Sequence, residues 1–446
     1  MIPRNHPQRL ELNDEVHARP SDSLVAPLRI SYLALASDRE QSERSWAGVC
    51  ELARRFAVRP PPAGANHYSA DFGAFRLRWE RHTEFVRYTF VAPAGTRDPF
   101  AVPATGEIPP DWLAALPGEV LVATHAALLE DRDGTLTYPE VAERYFAGNV
   151  LFGSDISGGA ATVLTDLRIQ IDGFSRLAIL DHSMTPWQAG RVVQRLLEID
   201  TYRVLALLAL PVARELTPFL NKCERELAQI TANLVNAQEA EEPELLDRLT
   251  ELSASIARRQ SAPVGPQNGA SPSETVYVDN LFRFSAAFAY YELVRRRIEE
   301  LRETRIQGLQ TLQEFTERRL APAMATARTV AARQDSLSQR VARATQLLST
   351  RVGITNERQN QALLESMNRR ASLQLRLQET VETVSIAAVT YYVVSLLGYV
   401  AKTLQYYGLL TRNLEPEVFT GLGIPVVAAL AWAAGQRIRR MVSKEK

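Results

Sequence analysis

Lysine is nearly missing from this sequence of 446 residues: Lys222, Lys402, Lys444 and Lys446 are the only four among 51 basic residues, the other 47 being arginine. The imbalance reads as GC-rich codon usage and implies nothing about function. Cysteine is scarcer still. Cys50 and Cys223 stand alone and far apart, which excludes a disulfide framework and a cysteine-built zinc site. The six histidines (His6, His17, His67, His82, His125 and His182) form neither HExxH nor any other zinc-ligand spacing. Net charge is absent as well. The 51 basic side chains cancel 51 acidic ones, so bulk nucleic-acid binding is excluded, because such a binder carries a basic excess. The opening residues Met1-Ile2-Pro3-Arg4-Asn5-His6-Pro7 lack an apolar run, and no secretory signal is expected.

What is present is ordinary in kind and uneven in placement. Apolar residues make up 46% and charged residues 23%, which excludes disorder for most of the chain. The length exceeds one compact core and predicts two or three structural units. Residues 1–182 alternate strand-like and helix-like stretches, as in a mixed α/β domain. The run LRISYLALA (28–36) is a strand, and Asp38 is placed to cap an amphipathic helix reaching Phe56. Two alternating runs, 68–79 and 83–91, joined by Glu80-Arg81-His82, predict an antiparallel pair. Further strands are expected over 120–129, 161–171 and 174–180.

Strand signals stop at Thr185-Pro186. Residues 183–259 read as helical with a break at Pro211, 260–274 (QSAPVGPQNGASPSE) as a flexible linker, and 275–382 as stalk helices interrupted near Pro322 and Val352-Gly353. Val330, Gln334, Leu337, Val341, Ala344 and Leu348 alternate by four and three, a heptad seam. Such a seam suits an intramolecular bundle and an intersubunit coiled coil equally.

Two stretches of nineteen uncharged residues follow, 383–401 and 418–436. As helices each reaches roughly 28 Å, the thickness of a bilayer's hydrocarbon core. They predict two transmembrane helices around a short outer loop, 402–417. That loop balances two basic and two acidic residues, whereas the tail 437–446 carries five basic against one acidic. Positive-inside then puts both termini in the cytosol of a bacterium, at its inner membrane. A second heptad enters the first span without a break: Leu364, Met367, Ala371, Gln374, Gln378, Val381, Ser385, Ala388, Tyr392, Ser395, Tyr399 and Lys402. Its face is apolar at first and turns small or polar, and in lipid such a stripe should meet protein or water. Either it packs on another helix through Ala388, Ser395 and Gly398, or it lines a pore in a symmetric homo-oligomer. In the second case Gln374, Gln378, Ser385, Tyr392, Ser395 and Tyr399 are the pore-lining candidates, and Lys402 and Gly408 stand at the mouth.

Two resemblances rest on these residues. The segments HPQRLELNDEVHARP (6–20) and SMNRRASLQLRLQETVE (366–382), with the tyrosine-rich first span, resemble an uncharacterised family of membrane-anchored bacterial proteins, a likeness that covers essentially the whole chain. The stretch YYGLLTRNLEPEVFTGLGIPVVAALAWAAGQRIRRM (406–441) is similar to the ending of CorA-type magnesium channels. This second likeness implies a CorA-like architecture: an α+β cytosolic domain, long stalk helices and a two-helix C-terminal transmembrane hairpin. It also implies an ion as substrate. Where those channels carry Gly-Met-Asn, this chain has Gly408-Leu409-Leu410, so the carbonyl that would hold a hydrated cation is replaced by an alkyl group. A ring of Lys402 ammonium groups would repel cations.

Other chemistry is thin. Glu15, His17 and Arg19 share one face of an extended segment and suit a salt-bridged anchor better than a metal or anion site. Asp131-Arg132-Asp133-Gly134 opens like a calcium loop, but Ala142 stands where the twelfth-position Glu belongs, and a hairpin turn at Asp133-Gly134 is the better reading. Ser154, Gly158 and Gly159 fit neither a P-loop nor GxSxG. Asp181-His182 has no identifiable nucleophile beside it, and Glu239, Glu241, Glu242 and Glu244 read as a solvated acidic face. No enzyme and no cofactor is expected. The expectation is an integral membrane protein, either a homo-oligomer that passes an ion or a membrane-anchored scaffold whose cytosolic domain binds a partner.

Overall fold

The computed structural model describes residues 4–10, 13, 21–95, 98–260, 280–407 and 416–442. The chain divides into two compact units. One comprises Met1–Ala237 with Glu244–Gln346, the other Gln238–Pro243 with Leu347–Lys446.

The first unit is built on a single nine-stranded mixed sheet. Its strands are β1 (Leu28–Ala36), β2 (His67–Asp71), β3 (Arg76–Arg81), β4 (Phe85–Pro93), β5 (Glu119–Glu130), β6 (Phe152–Ile156), β7 (Ala161–Ile169), β8 (Ser175–Asp181) and β9 (Thr304–Arg305), in the spatial order β2-β3-β4-β1-β5-β8-β7-β6-β9. Only β5 and β8 run parallel; the other neighbours are antiparallel. The run 68–79, expected as one strand, is a hairpin of β2 and β3. Gly73 takes φ +83°, where a side chain would be strained, and donates its N–H to Asp71 Oδ1 at 2.8 Å, which turns the chain.

Helix α1 (Arg39–Arg55) opens with a capping box at Asp38 and Gln41. It lays Val49 and Leu52 on Leu33, Leu35, Leu77, Trp79, Tyr88 and Phe90, and Trp112 of α2 (Pro110–Ala114) closes that core. Helix α3 (Tyr138–Phe146) covers a second cluster with Ala127, Leu129, Leu164, Ala178 and Leu180. The opposite face of β1, β3 and β4 receives α4 (Pro186–Leu207), where Tyr32 and Thr201 hydroxyls meet at 2.6 Å.

The remaining helices are α5 (Ala209–Asn236), α6 (Glu242–Gln260), α7 (Asn280–Leu301), α8 (Leu312–Tyr406) and α9 (Pro416–Val442). Helix α7 packs along α4. Helix α8 is 95 residues long and passes through Pro322 and Val352-Gly353 without interruption. Burial of Leu320, Met324 and Ala327 around the proline holds the backbone helical where local propensity would break it. The first heptad seam faces inward: Val330, Gln334, Leu337 and Val341 are buried, and Arg333 pairs with Glu224 and Asn221 of α5. Of the two partners that the sequence left open, the intramolecular bundle covers this seam.

In the second unit every residue of 356–381 is exposed. Further on, Thr390 is buried, a Cβ at Gly398 would lie 2.9 Å from Thr420 Cγ2, and one at Gly435 would lie 3.7 Å from Glu382 Oε1. Helix α9 therefore returns along the end of α8, on the face of Glu382, Ile386, Thr390 and Gly398.

The CorA-like architecture, an α+β domain ending in a two-helix transmembrane hairpin, is not supported. Among the described residues one helix, α8, holds a stretch long and apolar enough to cross a membrane, and nearly all of that stretch is left uncovered. A hairpin of spans needs two such helices. The observed layout is a nine-stranded mixed sheet followed by one long helix. The predicted linker lies outside the described residues apart from Gln260, and of the predicted loop 402–417, residues 408–415 do as well.

Candidate functional site

A cleft of about 650 Å³ opens in the first unit where β1 hands over to α1 and β3 turns into β4. Asp38, Arg39 and Glu43 line it from α1, Arg81, His82 and Phe85 from the β3–β4 turn, Tyr202 from α4, and Tyr290 and Leu293 from α7. The walls are aromatic. Tyr202 and Tyr290 stack at 5.7 Å, and His82 lies on Phe85 at 4.3 Å. Tyr290 donates its hydroxyl to Glu84 Oε2 at 2.8 Å, and Arg283 pairs with the same carboxylate. Burial, then the Glu84 charge, pushes the Tyr290 phenol well above its ordinary range, so it stays a hydrogen-bond donor. Arg81 is held by Glu43 at 3.0 Å and by Asn66, which leaves Arg39 as the exposed cation at the rim. Rings, phenols and guanidinium groups suit binding.

Beneath it lies a charge cluster. Glu80 of β3 stands opposite Arg87 of β4 in the strand register and binds it; Arg78 reaches Glu80 at 3.0 Å. Glu198 of α4 takes Arg87 at 3.4 Å and Arg297 of α7 at 2.7 Å, and Glu300 joins Arg297 to Arg195. Burial alone would raise the Glu80 carboxyl, but Arg87 and Arg78 outweigh it and hold it at about 2. Every carboxylate here is matched by guanidinium groups, which makes the cluster a structural clamp between sheet and helices.

A third polar group sits at the carboxyl ends of the parallel strands β5 and β8. His182 Nδ1 lies 2.9 Å from the Asp131 carbonyl and 3.4 Å from its carboxylate, and Nε2 lies 2.9 Å from Thr162 Oγ1. This resembles an Asp-His-hydroxyl relay. Thr162, however, is buried and donates to Asp155 Oδ1 at 2.5 Å, so its oxygen is held inside the fold and not presented to a substrate. His125 is likewise buried, 2.9 Å from Ser31 Oγ and stacked on Phe174 at 3.9 Å. Burial, with Arg176 adding to it, pulls the His125 imidazole down to about 4 against the opposing pull of Asp172.

Of the residues singled out from sequence, Glu15, His17, Arg19 and Gly408 lie outside the described residues. Gln374, Gln378, Ser385, Tyr392, Tyr399 and Lys402 are exposed along α8 and Ser395 is half-buried. Asp131 accepts the N–H groups of Thr135 and Leu136 in a turn that leads from β5 into α3, where the sequence predicts a hairpin; among the described residues no group of three His, Cys, Asp or Glu side chains could hold a metal. Glu242 of the acidic run is buried and pairs with Arg351 at 2.5 Å. The cleft and the charge cluster escaped the sequence reading. Their one signal was the alternation Leu77-Arg78-Trp79-Glu80, whose polar face reads as solvent-exposed until α4 is seen to cover it.

The chain matches the family described as Protein of unknown function (DUF3422) over residues 4–264 and 267–442, and belongs to it. An uncharacterised family is what the 6–20 and 366–382 segments implied. No curated protein matches the chain.

Proposed function

From membership of that uncharacterised family, we propose that the chain is a membrane-anchored scaffold or regulatory protein. The apolar part of α8 enters a bilayer, and the sheet-based unit stays in the aqueous phase to bind a partner. The observation that carries this reading is the stretch 383–401, where Val384, Val389, Tyr391, Tyr392, Leu396 and Tyr399 are all more than half exposed. Each square ångström of such surface left in water forgoes about 25 cal/mol. A contiguous patch of this kind marks a lipid or protein contact. Residues 1–274 hold 27 basic and 36 acidic side chains and 275–446 hold 24 and 15, a polarity that favours the acidic part on the cytosolic side of a bacterial inner membrane with the basic tail at the lipid. The aromatic cleft supplies a surface for a partner. Ion passage rested on the CorA-like layout and gains nothing from the fold.

Fractionation of cells expressing the full chain tests the anchor. The protein should stay in the membrane pellet through an alkaline carbonate wash and leave it only in detergent. Val389→Arg with Leu396→Arg should release it to the supernatant with the circular dichroism of the sheet unit unchanged. Wild-type protein in the supernatant without detergent would sink the reading.

A further inference from the structure

We infer that the second heptad of α8 is a self-association seam, covered by the same seam of a second copy of this chain lying parallel to it. The parallel direction rests on the membrane reading above, since spans inserted with one orientation must run side by side; the association itself does not.

Three observations point to a second copy. First, among the described residues nothing covers 356–381, although Leu364, Met367 and Val381 on the seam are 64%, 58% and 63% exposed. In proteins most helical stability comes from packing of an apolar face, which this stretch lacks. Secondly, lipid cannot be the cover. This stretch precedes the uncharged segment and is studded with Glu365, Arg369, Arg370, Arg376 and Glu379. These charges fall off the seam, whereas Leu363, Leu375 and Leu377 flank it, so the apolar strip is bordered as a helix-helix contact is. Thirdly, the seam contains Gln374 and Gln378. A carboxamide is both donor and acceptor, so identical glutamines facing one another across a two-fold or higher axis satisfy each other. Polar residues at such positions fix register. An unrelated apolar partner would leave both amides unpaired.

The continuation strengthens the case. Helix α9 takes the face of Glu382, Ile386, Thr390 and Gly398, while Ser385, Tyr392 and Tyr399 of the seam remain exposed. The intramolecular contact therefore leaves the seam available except at Ser395, which is half-buried.

Single cysteines in a full-length Cys50→Ser, Cys223→Ser background, oxidised in native membranes, test the seam. Met367→Cys and Val381→Cys should each give at least tenfold more covalent dimer than Arg369→Cys and Arg376→Cys on the opposite side. Detergent-solubilised wild type should sediment as a multimer. Equal yields at all four positions, or a monomer by sedimentation, would overturn the association. Cross-linking of Met367→Cys only to Val381→Cys in mixed preparations would overturn the parallel direction. A chain that reaches the soluble fraction yet cross-links at the seam refutes the anchor and keeps the association; a membrane-bound monomer does the reverse.

Discussion

One helix carries two heptads with opposite fates. Between Val330 and Val341 of α8 the seam is buried, with Leu337 fully enclosed; between Leu364 and Val381 the same spacing stands in solvent. Periodicity is thus equal in the two stretches and cannot be what decides burial. The first stretch shares its unit with α5 and α6, whose buried Leu220, Leu227, Leu249 and Leu252 supply facing apolar surface. Among the described residues no such helix lies over 356–381. A heptad states that a helix wants a partner, and the rest of the chain decides whether that partner is internal.

Substituting equivalent seam leucines is the strongest way to break this comparison. Leu337→Asp places an unpaired carboxylate in a closed core and should cost about 5 kcal/mol, enough to unfold the first unit. Leu364→Asp should change the stability of that unit by less than about 0.5 kcal/mol, while lowering cross-linking at Met367→Cys. Urea denaturation followed by tryptophan fluorescence reads both. Equal costs at the two sites would abolish the distinction.

Charge separates the regions in the same manner. Glu198 is buried between Arg87 and Arg297, whereas the carboxylates of 356–381 are solvated. Glu198→Ala leaves a buried guanidinium without its counter-charge and should destabilise the first unit by roughly 4 kcal/mol. Glu365→Ala should leave it unmoved.

How much was legible follows from which interactions are local. The strand LRISYLALA, the Asp38 cap and the Asp131 turn rest on neighbours in sequence and were readable there. The sign of the hairpin within 68–79 lies in a slip of phase: apolar residues fall at Tyr68, Ala70 and Phe72 and then at Phe75, Leu77 and Trp79, with Gly73 at the break. Strand order was not readable, since β1 lies between β4 and β5, and β5 meets β8 across some fifty residues of chain. Nor was the site. Arg78, Glu80 and Arg87 look like a wet face until α4 brings Glu198 onto them from more than a hundred residues away. The two-span reading failed differently: it counted uncharged length, and length alone does not distinguish an anchor from a helix with a protein neighbour.

His125 offers a pH test confined to the first unit. Its folded value is about 4 against an ordinary 6.5, so between these the unfolded chain binds the extra proton and stability rises with pH. The first unit should lose roughly 3 kcal/mol as pH falls from 6.5 to 4. Glu80, held at about 2, adds a further loss only below its ordinary 4.5. His125→Gln should flatten the upper part of the curve and leave the lower part. Cross-linking along 356–381, where no histidine occurs, should not follow this profile.

The smallest effect sharpens the comparison most. Arg333 lies beside the buried seam and bonds Glu224 and Asn221 of α5, yet it is about a third exposed. A bridge in that setting exchanges water contacts for protein contacts at little net gain, so Arg333→Ala should cost below about 1 kcal/mol and fade in high salt. Arg369, in the uncovered stretch, should cost nothing measurable in the same assay. If Arg333→Ala instead approached Leu337→Ala, worth about 3 kcal/mol, the two halves of α8 would differ by their ion pairs. The prediction of a small, salt-sensitive loss assigns the difference to apolar closure, and that is the quantity a second copy would supply to the exposed half.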